Sequence, residues 1–160
     1  MVACTNRMTR KSSKYRLQDS LGYLTYGVSG AIRKRITREL ARKGYPLVAE
    51  QYAALIYIWD ADGEPQRVLA EKLYRDKSTV TRLLGQIEAM GYIQRVPGKQ
   101  DTREKRIFLT EKGKELMAGV TQLVLEILQL AVKGIGRNEV KICKEVLRRV
   151  RQNLTQQQAT

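Results

Sequence analysis

The stretch Asp76-Lys77-Ser78-Thr79-Val80-Thr81-Arg82-Leu83-Leu84-Gly85-Gln86-Ile87-Glu88-Ala89-Met90-Gly91 carries the clearest periodicity in the chain. Val80, Leu83, Leu84, Ile87 and Met90 fall at i, i+3, i+4, i+7 and i+10, one apolar stripe of an α-helix. Asp76 is a helix N-cap residue, because its carboxylate accepts the free N–H groups of a first turn. Gly91 ends the helix. The stripe leaves Lys77, Ser78, Thr79, Thr81, Arg82 and Gln86 for the other faces. Just upstream, Pro65 suits the first turn of a short helix whose Leu69, Ala70 and Leu73 point inward. Tyr74-Arg75-Asp76 is then a tight connection. A short helix, a tight turn and an amphipathic helix with a small, polar outer face make a helix-turn-helix arrangement.

Downstream the period changes. Tyr92–Val96 and Lys105–Leu109 read as two short strands, and the polar segment Pro97–Glu104 between them is rich in turn formers. Thr110 is placed to cap a long helix running to about Lys133, with a stripe of Leu116, Val120, Leu123, Val124, Ile127, Leu128 and Ala131. Gly134-Ile135-Gly136 breaks it. A last helix over about 138–154 presents Val140, Cys143, Leu147, Val150 and Leu154 at spacings of 3, 4, 3 and 4, a heptad-like seam. Upstream, a first helix starts near Leu17 and carries Leu21, Leu24, Val28, Ile32, Ile36 and Leu40 on one stripe until Gly44 and Pro46 end it. Its basic residues, from Arg33 to Lys43, are read as a solvated face. A second helix, roughly Val48 to Ala61, would bury Val48, Tyr52, Leu55, Ile56 and Trp59. It opens on Val48, which has no hydroxyl, so Pro46 or water is expected to do the capping work. Asp62-Gly63 is a turn. The fold class is mainly α with a small β wing.

The 160 residues hold 30 Lys+Arg, 16 Asp+Glu and no His, for a net charge of +14. Without histidine there is no His-based acid–base catalysis, His metal site or Ser-His-Asp triad. Cys4 and Cys143 alone make neither a zinc site nor a disulfide framework. Nothing suggests a catalytic residue, a metal or a cofactor. No run approaches the ~18 apolar residues of a membrane span, and the expected location is cytoplasmic. The charge points to a polyanionic partner. Residues 1–46 hold 11 Lys+Arg against 2 Asp+Glu, 47–63 none against 3, 64–113 11 against 7, and 114–160 8 against 4. The excess therefore runs along the chain. Nucleic acid fits the second helix of the helix-turn-helix best. Ser78, Thr79 and Thr81 are short enough for a major groove, and Arg82 has the fork that matches a guanine edge.

Both ends of this region carry a family resemblance. Asp101-x-Arg103-x-Lys105-Arg106-x-x-Leu109-Thr110-x-x-Gly113 is similar to the wing-to-helix signature of the MarR (multiple antibiotic resistance regulator) family. Asp76 to Leu83 resembles that family's recognition helix, and Ile87-Glu88-Ala89-Met90-Gly91-Tyr92-Ile93 its exit into the wing. The resemblance implies a winged helix-turn-helix flanked by dimerisation helices. It implies a homodimeric transcription regulator, most often a repressor of near-palindromic operators, commonly released by small molecules or oxidants. Carried over by position, Ser78, Thr79, Thr81 and Arg82 lie in the major groove, with Lys77 and Gln86 on the same helix. Arg103 enters the minor groove at the wing tip, Asp101 orients it, and Lys105 and Arg106 support phosphate contact.

On this frame residues 1–16 are a basic flexible arm and 17–46 an N-terminal dimerisation helix. Residues 47–110 are the DNA-binding lobe and 111–160 the C-terminal dimerisation helices, in one compact domain. The apolar stripes of the flanking helices are too extensive for a small lobe to cover, which a two-fold dimer resolves. Tyr23, Tyr26, Tyr52 and Trp59 are candidates to line an effector pocket at the lobe–dimer junction, although aromatics at helical spacing more often pack in cores. A small aromatic or anionic effector would suit the basic first helix. Cys143, on the apolar seam, is expected to be packed and inert. Cys4 is a free thiol well before the first helix. Two rivals stand beside the dimeric regulator: a nonspecific basic nucleic-acid binder, and a thiol-based peroxide sensor of the same fold.

Overall fold

The computed structural model describes residues 16–98 and 104–156. After a 3-10 turn at Leu17–Asp19, the helices are α1 (Leu21–Arg42), α2 (Ala49–Asp60), α3 (Gln66–Leu73), α4 (Lys77–Ala89), α5 (Glu111–Ala131) and α6 (Arg137–Gln156). Two strands, β1 (Ile93–Pro97) and β2 (Lys105–Leu109), pair antiparallel with Ile93 opposite Leu109 and Pro97 opposite Lys105. Among the described residues no helix is long and apolar enough to cross a membrane.

Each boundary has a local cause. The Ser20 side chain accepts the Tyr23 N–H and starts α1, which shortens the helix expected from Leu17. Tyr74 closes α3 in the left-handed region at φ 52, and this non-glycine strain makes the connection to α4 tight. Asp76 caps α4 as its residue type requires. Gly91, at φ 78, turns the chain out of α4 toward β1. The start of α2 corrects the expectation placed on Pro46 or water. The Thr37 hydroxyl of α1 accepts the Ala49 N–H at 3.0 Å, and Gln51 Oε1 accepts the Val48 N–H at 3.0 Å. The cap comes from a neighbouring helix and from the third residue of α2 itself.

One core joins the elements. Leu40 of α1, Ala54 and Leu55 of α2, Val80 and Leu84 of α4, and Met117 and Val120 of α5 have no exposed surface. Burying each such leucine contributes about 1.5–3 kcal/mol relative to exposure. α2 packs against α1, α3, α4, α5 and β2. That crowding sets a buried face different from the expected one. Ala49, Ala54, Leu55 and Ile58 are buried, Tyr52 and Ile56 are half-buried, and Val48 and Trp59 are exposed. The alanines let neighbouring helices approach closely beside Leu55 and Ile58, and Val48 and Trp59 are turned outward. The turn at Asp62-Gly63 does more than reverse the chain. Gly63 N–H donates to the Ile107 carbonyl at 2.8 Å and Ile107 N–H to the Glu64 carbonyl at 3.1 Å, adding a short outer segment to the wing sheet.

The first half of α1 and all of α6 stand apart from this core. Leu21, Leu24 and Val28 are exposed, and none of α6's described side chains is buried. Cys143 is therefore exposed in the single chain, not packed. Its seam is intact as a pattern, but the lobe has no surface within reach to cover it. The far end of α6 returns to the helix-turn-helix, where the Arg151 guanidinium lies 5.5 Å from the centre of the Tyr74 ring.

Candidate nucleic-acid interface

The face of α4 expected to be polar is polar and outward. Lys77, Ser78, Thr81, Arg82 and Gln86 are exposed and Thr79 is half-buried. Their hydroxyl protons, however, are already in use. Ser78 Oγ donates to Asp76 Oδ1 at 2.5 Å, and Thr79 Oγ1 donates to Asp76 Oδ2 at 2.7 Å. Thr81 Oγ1 donates to the Lys77 carbonyl at 2.8 Å. A hydroxyl has one proton, so what these three have left to offer is acceptor lone pairs and, on the two threonines, a methyl group. The bonds from Ser78 and from the Thr79 backbone and side chain hold the Asp76 carboxyl far below its usual range. A carboxylate so stabilised stays ionised and keeps both hydroxyls in place.

The wing base is fixed from two sides. Arg106 donates to the Gly63 carbonyl at 3.0 Å and lies 3.7 Å from Glu104 Oε2. Arg67 of α3 reaches Glu104 Oε1 at 3.3 Å. Arg106 thus anchors the wing to the lobe while remaining half-exposed, and Lys105 beside it is exposed. On the other flank, Glu88 of α4 accepts both the Arg95 backbone N–H at 3.1 Å and its guanidinium. The Arg95 hydrogen bond is the main reason the Glu88 carboxyl titrates below the ordinary carboxylate value, against a smaller rise from burial. Asp101 and Arg103, expected at the wing tip, lie outside the described residues, as does Cys4.

Two clefts flank α4. One, of about 610 Å³, lies between α3, the start of α4 and the wing base, with Gln66, Arg67, Glu71, Lys77, Glu104 and Lys105 among its walls. The other, of about 690 Å³, lies between α1, α2, α4 and α5. Arg33, Arg75 and Arg82 line it, with Glu50, Tyr52, Tyr57 and an apolar wall that includes Ile36, Ile56, Leu83 and Val124. Arg33 pairs with Glu50 at 2.8 Å. Among the described residues neither Arg75 nor Arg82 has an acidic partner, so the cleft favours an anion. Burial raises the Tyr52 phenol above its usual value, opposed by a hydrogen bond with Thr121.

Of the four aromatics proposed for a pocket, Tyr52 alone is on this wall. Tyr23 and Tyr26 are exposed on the half of α1 that stands clear of the lobe, and Trp59 is on the outer side of α2. Thr79, Arg82 and Gln86, expected on the DNA face, also line the cleft. α4 therefore separates the two spaces. Gln66, Glu88, Arg95 and Arg75 were not picked out from the sequence. Gln66 and Arg75 lie on the elements expected to surround α4, but their roles depend on contacts between elements. Nothing in helical or strand period marks such contacts.

Comparison with known proteins bears on the same region. Residues 47–105 match the model of the MarR family. An uncharacterised HTH-type transcriptional regulator of Bacillus subtilis strain 168, YybA, is 31% identical over 112 residues, which are 70% of this chain and 75% of the relative. The crystal structure of a Staphylococcus aureus MepR–DNA complex superposes with a TM-score of 0.76 at 28% identity, covering 84% of this chain and 98% of that one. CouR from Rhodococcus jostii RHA1, bound to p-coumaroyl-CoA, superposes with a TM-score of 0.74 at 26% identity, covering 86% and 95%.

Proposed function

The chain belongs to the MarR family, and from that membership we propose that it is a cytoplasmic transcriptional repressor. It binds a near-palindromic operator in duplex DNA as a homodimer and is released by a small effector. The observation that carries this reading is the outer face of α4. It places short hydroxyl side chains and Arg82 on one exposed surface, with Lys77 at one end and the cationic wing base alongside. The hydroxyls supply acceptors, and Arg82 supplies the bidentate donor that matches guanine O6 and N7. Lys77, Lys105 and the half-exposed Arg106 supply phosphate contacts, with Arg103, aimed by Asp101, reaching the minor groove.

The dimer is supported by what the lobe leaves uncovered. Leu21, Leu24 and Val28 of α1 and Ile142, Leu147 and Leu154 of α6 are all exposed. A two-fold axis through these helices buries them and sets two copies of α4 about one DNA turn, ~34 Å, apart. Bound at a promoter, such a dimer blocks polymerase sterically.

The effector is supported by the cleft that shares Arg82 and Gln86 with the DNA face. The MepR structure holds DNA and the CouR structure a coenzyme A thioester, so related folds accommodate both kinds of ligand. In this chain a small aromatic anion fits two arginines above an apolar wall. It releases DNA to the extent that it binds the free form more tightly than the bound form.

The test is selection from a random duplex pool at near-physiological salt. The expected outcome is a two-fold symmetric motif with half-sites about one turn apart, ~34 Å. Binding that falls steeply with salt and enriches no sequence would identify a nonspecific cationic binder instead.

A further inference from the structure

Gln66 opens α3 and lies outside the recognition helix, yet its side-chain amide is bonded to that helix. Gln66 Nε2 donates to Thr81 Oγ1 at 2.7 Å. The direction of this bond is fixed by chemistry. The only Thr81 hydroxyl proton goes to the Lys77 carbonyl at 2.8 Å, so Thr81 can only accept from Gln66. That fixes which end of the amide faces Thr81. Among the described residues Gln66 Oε1 and its second N–H have no other hydrogen-bond partner, so the bond to Thr81 orients an amide acceptor and donor side by side.

The same side chain lines the cleft between α3, the start of α4 and the wing base, with Lys77 and Lys105 on its walls. Glu71 and Glu104 line the cleft too, but Glu104 is paired with Arg67 at 3.3 Å, so Lys77 and Lys105 outweigh Glu71 and attract a phosphate backbone, which brings the base edges beside it toward Thr81 and Gln66. We infer that Gln66 is a sequence-reading residue supplied by α3, and that Thr81 is its mount. The inference rests on the DNA-binding function proposed above.

The groups presented select a base pair. An amide oxygen beside an amide N–H matches adenine, which offers an N6 donor next to its N7 acceptor. The Thr81 methyl, left free when its hydroxyl is consumed, packs against a thymine methyl. The pair thus reads an A·T step. Arg82, one residue along the helix, carries the fork that reads guanine. Thr81 acts on this choice through Gln66 and through its methyl, so its hydroxyl is a positioning group.

Duplex selection with five proteins tests this: the unsubstituted chain, Gln66→Ala, Thr81→Val, the two combined, and Thr81→Ser. Thr81→Val keeps the shape and loses the mount. Thr81→Ser keeps the mount and loses the methyl. The unsubstituted chain is expected to select a motif with a fixed A·T pair. Gln66→Ala and Thr81→Val should relax the same position, each with about tenfold weaker binding to the selected site and a smaller loss on random duplex. Combining them should add little. Thr81→Ser should keep the adenine preference. Thermal unfolding of each variant, with a midpoint near that of the unsubstituted chain, assigns the loss to recognition. Equal losses on selected and random duplex would make Gln66 a phosphate contact and overturn the inference. So would relaxation at different positions in Gln66→Ala and Thr81→Val. If the unsubstituted chain selects no motif, the proposed function fails and this inference with it.

Discussion

Gly113 lies directly against the carbonyl group of Tyr92. A β-carbon on Gly113 would collide with the Tyr92 oxygen and stand 3.0 Å from its carbonyl carbon and 3.1 Å from a Leu109 methyl. That oxygen accepts the Thr110 N–H at 3.1 Å, while the Thr110 hydroxyl donates to the Gly91 carbonyl at 2.7 Å and accepts the Gly113 N–H at 3.1 Å. The Thr-x-x-Gly end of the wing signature thus ties the exit of α4, the wing and the start of α5 at one point. Gly113→Ala is expected to destabilise the fold by about 1–3 kcal/mol, because backbone on both sides must move. Gly85→Ala is the contrast, since Gly85 has nothing within 4 Å and lies inside α4. It should stabilise by roughly 0.5–1 kcal/mol. Denaturant unfolding of the two variants reads both signs.

The Thr37 cap makes a second prediction. Its hydroxyl serves α2 from α1, so Thr37→Val removes the acceptor for the Ala49 N–H while keeping the side-chain volume. A loss of about 1 kcal/mol in unfolding free energy is expected, and Thr37→Ser should recover most of it. A loss in Thr37→Ser with none in Thr37→Val would mean that the methyl, not the hydroxyl, matters there.

The helices and the wing are legible in the sequence because each carries a period and a terminator that act locally. Val80, Leu84 and Ile87 are buried as their spacing demands, and Lys105–Leu109 is a strand at its expected bounds. What local pattern does not encode is which side of a crowded helix faces in. α2 shows this, with Trp59 turned outward and Ala54 at the centre of the core. Cys143 shows the same limit differently. A seam states that something covers it, but a single chain does not contain the cover. The site residues follow the same division. Ser78, Thr81 and Arg82 are readable from helical phase, whereas Glu88–Arg95 and Gln66–Thr81 join elements 7 and 15 residues apart in sequence.

The Glu88–Arg95 pair gives a pH dependence. The folded-state pKa of Glu88 lies below its ordinary value of 4.5. The pair's contribution is therefore fully present above that value and is lost as pH falls through the folded pKa. Glu88→Gln should be less stable than the unsubstituted chain near neutral pH, and the gap should close toward acid. Unfolding curves across that range measure it. A gap independent of pH would show that Glu88 acts by packing alone.

Leu147 is on the exposed α6 seam, and Arg149 is on the opposite side of the same helix. Leu147→Glu puts a charge into the proposed two-fold interface, so sedimentation should show the dimer dissociating at least about tenfold more readily. Arg149→Gln makes the same change in net charge and should leave the assembly intact. Dissociation in both variants would point to net charge, and in neither would remove α6 from the interface.

Arg75 and Arg82 share the anion-favouring cleft, but Arg82 alone of the two is on α4. Their substitutions should therefore separate the two ligands. With benzoate as the probe, both Arg75→Gln and Arg82→Ala are expected to weaken its binding, each removing one charge-assisted bond. On the selected duplex, Arg82→Ala should cost about 1–3 kcal/mol and relax one base pair, while Arg75→Gln should cost less and leave the preference unchanged. The linkage is reciprocal, so benzoate weakens DNA binding by the factor by which DNA weakens benzoate binding. Arg82→Ala should shrink that factor, because its guanidinium is the group that both ligands engage. If titration gave the same coupling factor for Arg82→Ala and the unsubstituted chain, the cleft would communicate with DNA by moving α4 as a body, without competition for this side chain.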